Sequence, residues 1–331
     1  MKAAVINQYG DRNELTVVDT AVPAIQADEV LVENIATSIN PIDYKAREGL
    51  LQRMFQWQFP VVLGWDVAGK IVAVGDNVTG FKVGDAVFAR PDIDPIGRNG
   101  SYAEYTAVKA DKLALKPVNV SFAEAAAVPL AGLTALQMLQ QLQVSAGKKV
   151  IIQAGAGGVG IYAIQLAKKM GAYVATTASQ ANHDFVVGLG ADEVIDYHTT
   201  NIQDVLSDYD AVFDMVGDVD NGLAILKPGG HFVTISAALT DAQKATADKT
   251  VREGWLQPNG KDLAVLAADI AAGDLKIVVD SVYPLTTVGI RSAHERSETH
   301  HARGKIVVQI KPEENGGRIN DSISDYGVSR H

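Results

Sequence analysis

The residues with the clearest chemical purpose lie at mid-chain. Gly155-Ala156-Gly157-Gly158-Val159-Gly160 joins an apolar, β-branched run at 149–154 to a segment where Gly160, Ala163, Ile164 and Ala167 recur at helical spacing. A GxGxxG turn between a strand and a helix is an arrangement that binds a dinucleotide. Gly155 is expected to permit the tight turn, Gly157 to let a pyrophosphate approach the backbone, and Gly160 to let the helix pack closely on the sheet. The free amides of the turn, with Ala156, Gly158 and Val159 among its residues, and the positive end of the helix then face the phosphates. A purely structural glycine turn is the competing reading, and the strand-to-helix context argues against it.

The next question is which dinucleotide. NAD-specific sheets carry an acidic residue at the end of the second strand, roughly 20 residues past the first glycine, to hold the ribose 2′-hydroxyl. Here that position reads Thr176-Thr177-Ala178-Ser179, and nothing acidic appears before Asp184. This favours NADPH over NADH, because no carboxylate repels a 2′-phosphate. Yet no lysine or arginine falls between Lys169 and Lys227. Ser179, Asn182 and Tyr197 are therefore expected to hold the 2′-phosphate by hydrogen bonds, with His183 assisting when protonated. A solvated helix position is the alternative for His183. Val216 and Ser236 are expected at strand ends, where ligands collect in open α/β sheets.

Composition narrows the class. The chain has 331 residues and a formal net charge of −10, which argues against a general nucleic-acid binder. It has no cysteine, which removes disulfides, thiol catalysis, iron–sulfur clusters and any cysteine-based zinc site. No apolar run approaches the length needed to span a bilayer, and no signal peptide is visible, so a cytoplasmic location is expected.

Two kinds of scaffold must position these residues. The first third is β-rich, with short runs at 2–8, 14–19, 29–36, 66–74 and 86–89 punctuated by turns, which predicts a compact barrel. A helix at 42–48 follows Asn40-Pro41. From about Ser121 the pattern alternates, with helices at 122–127, 132–141, 158–170 and 182–189. Strands at 149–154, 173–177, 193–195, 211–216, 231–235 and 250–256 alternate with them. That is an α/β, doubly wound parallel sheet. A helix at 261–272, a strand at 277–283, a helix at 288–299 and a strand at 305–310 follow. Residues 311–331 read as a polar, loosely ordered tail.

Barrel, nucleotide sheet and return segment, in that order, resemble the medium-chain dehydrogenase/reductase superfamily. The specific stretches are similar to its zinc-independent quinone oxidoreductase branch. They are Ser38-Ile39-Asn40-Pro41-Ile42-Asp43, Gly64-Trp65-Asp66-Val67-Ala68-Gly69, Gly75 through Gly84-Asp85, Gly100-Ser101-Tyr102-Ala103-Glu104-Tyr105, Pro129 through Ala135, and the glycine turn. The resemblance covers about residues 1–310. It implies a GroES-like catalytic domain from 1–120 and 261–310, and a Rossmann domain from 121–260. Zinc-dependent members use cysteine and histidine around an open metal site. Here the first segment reads Thr37-Ser38-Ile39-Asn40, and Trp65 replaces the histidine of the usual Gly-His-Glu triplet, so no catalytic zinc is expected.

By the same resemblance the nicotinamide lies between the two domains. Asn40 and Lys45 match positions that approach its ribose and ring, and Thr134 matches the residue near its carboxamide. Tyr44 faces the substrate or packs, and Asp43 is expected to bond local backbone. The branch often carries a lysine soon after the second strand, where this chain has Gln180-Ala181-Asn182-His183. Trp65, Met54, Phe55 and Trp57 form a candidate apolar wall for flat, conjugated substrates, with core packing the alternative. His300 and His301 read as surface residues, or as a secondary phosphate contact near Arg303. The implied activity is NADPH-dependent reduction of a quinone by hydride transfer. For an enone, hydride goes to the β-carbon and a proton follows from solvent or Lys45. Alkenal or enone reduction and a low-turnover NADPH-binding role are the alternatives. The resemblance also implies a homodimer, joined at the sheet edge near 250–256.

Overall fold

The computed structural model describes residues 1–93 and 97–313. Its first third, joined by two strands from the chain's end, builds a small antiparallel sheet and a larger mixed one. In the smaller, Lys2–Ile6 lies between Thr16–Asp19 and Val61–Val62. The larger has seven strands centred on Glu29–Ile39, which pairs with Val67–Val74, Tyr105–Lys109 and Lys305–Gln309. Ala86–Ala89 and Leu113–Leu115 extend it on one side and Val279–Pro284 on the other. The strands at 61–62, 105–109 and 113–115 escape the sequence reading, the first and last being too short to show a period. A buried apolar cluster of Val30, Val32, Val67, Ile71, Val87 and Val108 fills the larger sheet's interior.

The second unit is a six-stranded parallel sheet in the order Glu193–Asp196, Tyr173–Ala178, Lys149–Ile152, Tyr209–Asp214, Leu226–Thr234, Thr250–Glu253. Order reverses at Lys149–Ile152. The chain moves outward through two strands on one side, then crosses to Tyr209–Asp214 on the other. Such a switch point opens a crevice beyond the strands' carboxyl ends. Helices Pro129–Gln141 and Gly160–Lys169 cover this sheet with apolar residues, among them Leu133, Met138, Ile161 and Ile164.

Helix Gly260–Ala272, expected with the return segment, bridges the two units. Its Leu263, Leu266 and Ile270 join the core beneath the parallel sheet. Its first residue lies tight against the Leu113 carbonyl of the barrel. The chain then re-enters the larger sheet, where Ile306 stands opposite Ile39. Just before that strand, Gly304 donates its amide to Ala156 O at 2.9 Å, inside the glycine turn. The final strand therefore touches the dinucleotide turn before it reaches the barrel. Of the tail expected at 311–331, all beyond 313 falls outside the described residues.

Candidate functional site

The glycine turn has the expected connection and a different internal logic. The strand ends at Ile152 and the helix starts at Gly160, two residues later than its periodicity predicts. The left-handed residue is Ala154, with φ of 55°, not Gly155. Gly155 must lack a side chain for another reason: a Cβ there would overlap the Thr176 hydroxyl on the neighbouring strand. At Gly160 a Cβ would strike the Ala154 carbonyl, so this glycine closes the turn on itself. Gly157 differs from both. The nearest atom to a Cβ there is Ala154 O at 3.3 Å, so protein packing does not account for glycine at this position. The amides of Ala156, Gly158 and Val159 have no acceptor among the described residues. Unpaired amides beside a bare Gly157, at the start of a ten-residue helix, fit a dinucleotide pyrophosphate.

At the end of the next strand the expected polar residues gather. Asp196 stands opposite Ala178, so Ser179 and Tyr197 each follow a paired strand end, and the exposed Tyr197 ring lies 4.2 Å from that of His198. Asn182 donates to Ser179 Oγ at 3.3 Å. His183 lies on the surface, its Nδ1 3.0 Å from Asp184 Oδ1. The cation missing from this stretch arrives from the far end of the chain. Arg303 donates Nε to Asn182 Oδ1 at 2.8 Å and Nη2 to the Ala181 carbonyl at 3.2 Å. Its guanidinium lies 5.1 Å from the centre of the Phe185 ring. The sequence reading placed Arg303 only as a neighbour of His300 and His301. Those two histidines are exposed, and His300 has a φ of 57°.

Between the two units lies a buried polar network centred on Asp66. Its Oδ2 accepts from Ser38 Oγ at 2.5 Å and from Asn40 Nδ2 at 2.7 Å. Its Oδ1 accepts the Leu130 amide at 2.7 Å, in the first turn of helix Pro129–Gln141. One carboxylate thus ties the barrel to a helix of the nucleotide-binding unit. Lys305 completes the cluster, donating to Ile39 O at 2.9 Å and to Asn40 Oδ1, with Asp66 Oδ2 at 3.6 Å. Asn40, expected near the ribose and nicotinamide, is buried, and both ends of its amide serve this network.

Asp43 caps its own helix, accepting the Asn40 amide at 2.6 Å, as expected of a structural residue. Burial pushes its carboxyl up to about 7, more than the Asn40 amide and Lys305 draw it down. Its Oδ1 and the Tyr102 hydroxyl lack hydrogen bonds of ordinary geometry, yet each acts on the other's ionisation. Tyr44 packs edge-on to His300, with ring centres 6.1 Å apart. Burial, then Glu48 and Glu298, raise its pKa, so it is a reluctant proton donor. Lys45 is half-buried and its side chain has no partner among the described residues. Thr134 is buried, its hydroxyl donating to Leu130 O at 2.7 Å. Val216 and Ser236 lie beyond the strand ends, which fall at Asp214 and Thr234. Ser236 Oγ donates to Met215 O at 2.6 Å and holds the two loops together.

The proposed apolar wall is mostly core. Trp65 and Trp57 are buried with Leu63, Val61 and Tyr102, and their rings sit 6.4 Å apart. Phe55 stacks on Trp57 at 5.2 Å and is half-buried, while Met54 is exposed. Burying three large rings at one end of the barrel outweighs leaving them open to a ligand.

Comparison with known proteins agrees with this architecture. Residues 26–118 match the alcohol dehydrogenase GroES-like domain, and residues 189–308 match a model described as zinc-binding dehydrogenase. An NADPH-dependent alkenal/one oxidoreductase, chloroplastic, of Arabidopsis thaliana is 40% identical over 94% of this chain and 80% of its own. The quinone oxidoreductase of Coxiella burnetii superposes with a TM-score of 0.86 at 34% identity, covering 94% of this chain and 99% of that one. The chain belongs to the quinone oxidoreductase branch of the medium-chain dehydrogenase/reductase superfamily. Within that branch, the Escherichia coli quinone oxidoreductase, solved in complex with NADPH, superposes with a TM-score of 0.83 at 26% identity, covering 93% of this chain and all of that one.

The zinc of the superfamily's alcohol dehydrogenases does not fit this site. Its thiolate and imidazole positions hold no cysteine and Trp65, and the adjacent Asp66 has both oxygens engaged by four groups of the protein. No helix of the described residues is long and apolar enough to cross a membrane.

Proposed function

We propose that this protein reduces conjugated carbonyl acceptors, quinones foremost, by hydride transfer from NADPH without zinc. The observation carrying this reading is the pairing of two features across one crevice. On one side stands the Gly155–Gly160 turn with its unpaired amides. On the other stands the Asp66–Asn40–Lys305 network, where the superfamily's metal chemistry has no ligand set.

When bound, NADPH supplies the hydride. The chain's residues bind, orient and exclude water. Ala156, Gly158 and Val159 offer amides to the pyrophosphate. Ser179, Asn182, Tyr197 and Arg303 surround the position of a 2′-phosphate, and Arg303 supplies the positive charge that local sequence lacks. Thr134 and Val216 line the route to the nicotinamide end. The proton that follows hydride comes from solvent or from Lys45.

A second reading, reduction of the C=C bond of alkenals and enones, is favoured by the name of the 40%-identical Arabidopsis relative. Both readings share cofactor and site. We also infer a homodimer. Thr250–Glu253 is an unpaired edge of the parallel sheet and the neighbouring Trp255 is exposed, an edge that a second copy would cover.

The deciding experiment follows NADPH and NADH oxidation with 1,4-benzoquinone, 9,10-phenanthrenequinone and a series of 2-alkenals. Preferred turnover of quinones with NADPH supports the first reading, and preferred turnover of alkenals supports the second. Tight NADPH binding with no turnover of any acceptor overturns both in favour of a binding role.

A further inference from the structure

A lysine at the head of a buried apolar strand demands an explanation. Desolvating an ammonium is expensive, and Ile306, Val307 and Val308 show what this strand otherwise selects. Lys305 does not spend its donors on a carboxylate at contact distance. They go to Ile39 O and Asn40 Oδ1, the two residues that lead into helix Pro41–Arg47. Asp66 stands at 3.6 Å and balances the charge. The aliphatic stem makes a second contact. A Cβ on Gly158 would lie 3.0 Å from Lys305 Cδ, so the stem forms the floor of the dinucleotide turn. Gly158 therefore lacks a side chain partly to admit Lys305. The preceding amide, on Gly304, bonds Ala156 O in the same turn.

One side chain thus touches the cofactor turn with its stem and the barrel's Asn40 with its tip. We propose that Lys305 is a positioning residue for hydride transfer. It holds Asn40, and through Asn40 the nicotinamide end of the site, in register with the turn that grips the pyrophosphate. The inference rests on the NADPH-dependent reductase reading above. Burial lowers the lysine's pKa, against the opposing pull of the Asp66 and Asp43 carboxylates.

The test compares Lys305→Met, which keeps the stem and removes charge and donors, in the natural chain and in an Asn40→Ala background. Three quantities are read: kcat with 1,4-benzoquinone, the primary isotope effect with NADPH deuterated at the transferred position, and the emission of bound NADPH. In the natural background, Lys305→Met is expected to lower kcat about tenfold or more, since small misplacements of reacting atoms are costly. The isotope effect rises and the emission of bound NADPH shifts, while the acceptor KM stays within about twofold. In the Asn40→Ala background the same change costs less than about twofold in kcat, because residues acting through one contact are non-additive. An equal loss in both backgrounds, or no loss in the first, overturns the proposal. Should Lys305→Met not fold, Lys305→Gln, which keeps a stem and an N–H donor, is read by emission of bound NADPH alone. A shift smaller in Asn40→Ala than in the natural chain supports the proposal, and an equal shift or none overturns it. Absence of turnover in the natural protein refutes the reductase reading instead, and the emission comparison still decides the role of Lys305.

Discussion

Arg303 Nε and Asn182 Oδ1 meet at 2.8 Å, although 121 positions separate them in the chain. This contact sets a guanidinium against the segment that follows the Tyr173–Ala178 strand. The 170–226 stretch itself holds no lysine or arginine.

Replacing Arg303 with methionine is expected to lower kcat/KM for NADPH by about tenfold, the scale of one charge-assisted hydrogen bond, and to leave NADH nearly unchanged. Steady-state kinetics with both cofactors check this. Equal losses for the two would mean that Arg303 does not read the 2′-phosphate.

The turn glycines separate folding from binding. Gly155→Ala forces a methyl into the Thr176 hydroxyl and is expected to destabilise the protein by about 1–3 kcal/mol. Gly157→Ala meets only Ala154 O at 3.3 Å and should shift stability by less than about 1 kcal/mol. It should nonetheless weaken NADPH binding, because its methyl projects where the pyrophosphate approaches. Thermal melts and NADPH titrations of the two variants make the comparison. A Gly157→Ala protein that binds NADPH normally counts against the cradle.

Asp43 links stability to pH. Its carboxyl is raised to about 7 by burial, against 3.8 for the free group, so between those values the folded state holds a proton that the unfolded state releases. Stability is full below about pH 4 with respect to this group and falls as pH rises toward 7, with a slope of at most about 1.4 kcal/mol per pH unit. Asp43→Asn keeps an acceptor for the Asn40 amide and is expected to remove that slope. Denaturant unfolding across this range tests it, and an unchanged slope would assign the effect elsewhere.

His294 acts in the opposite sense. Burial, then the neighbouring charge of Arg47, lowers its pKa to about 3, and Arg47 Nη1 lies 2.9 Å from its Nδ1. The unfolded state therefore gains a proton first as pH falls from about 6.5 to 3, and stability is lost in that window. His294→Gln preserves an acceptor for Arg47 and removes the titration. Its acid-unfolding midpoint is expected at lower pH than that of the natural protein, as followed by circular dichroism.

Short-range patterns were readable wherever a residue's task is local. The Lys149–Ile152 strand, the glycine turn and helix Gly160–Lys169 follow from neighbours within a few positions, and so does the capping of Asn40 by Asp43. The aromatic residues show the limit. Trp65 and Trp57 read as a ligand wall with core packing as the alternative, and only the presence of Val61, Leu63 and Tyr102 around them makes them core. For Lys305 a signal existed, a lone charge opening a run of β-branched residues, but its partners are 265 and 266 positions away.

The sequence by itself determined the two scaffolds, the glycine turn of dinucleotide type and the absence of any thiolate ligand. Each depends on residue type, on spacing within one element, or on the plain absence of cysteine. Tertiary structure alone decided which cation stands against Asn182 and which lysine reaches Asn40. Both Arg303 and Lys305 belong to the return segment, whose last strand pairs with Glu29–Ile39 while its approach lies against the glycine turn. Strand pairing across the whole chain sets those positions, and no local pattern encodes which distant surface a side chain will meet.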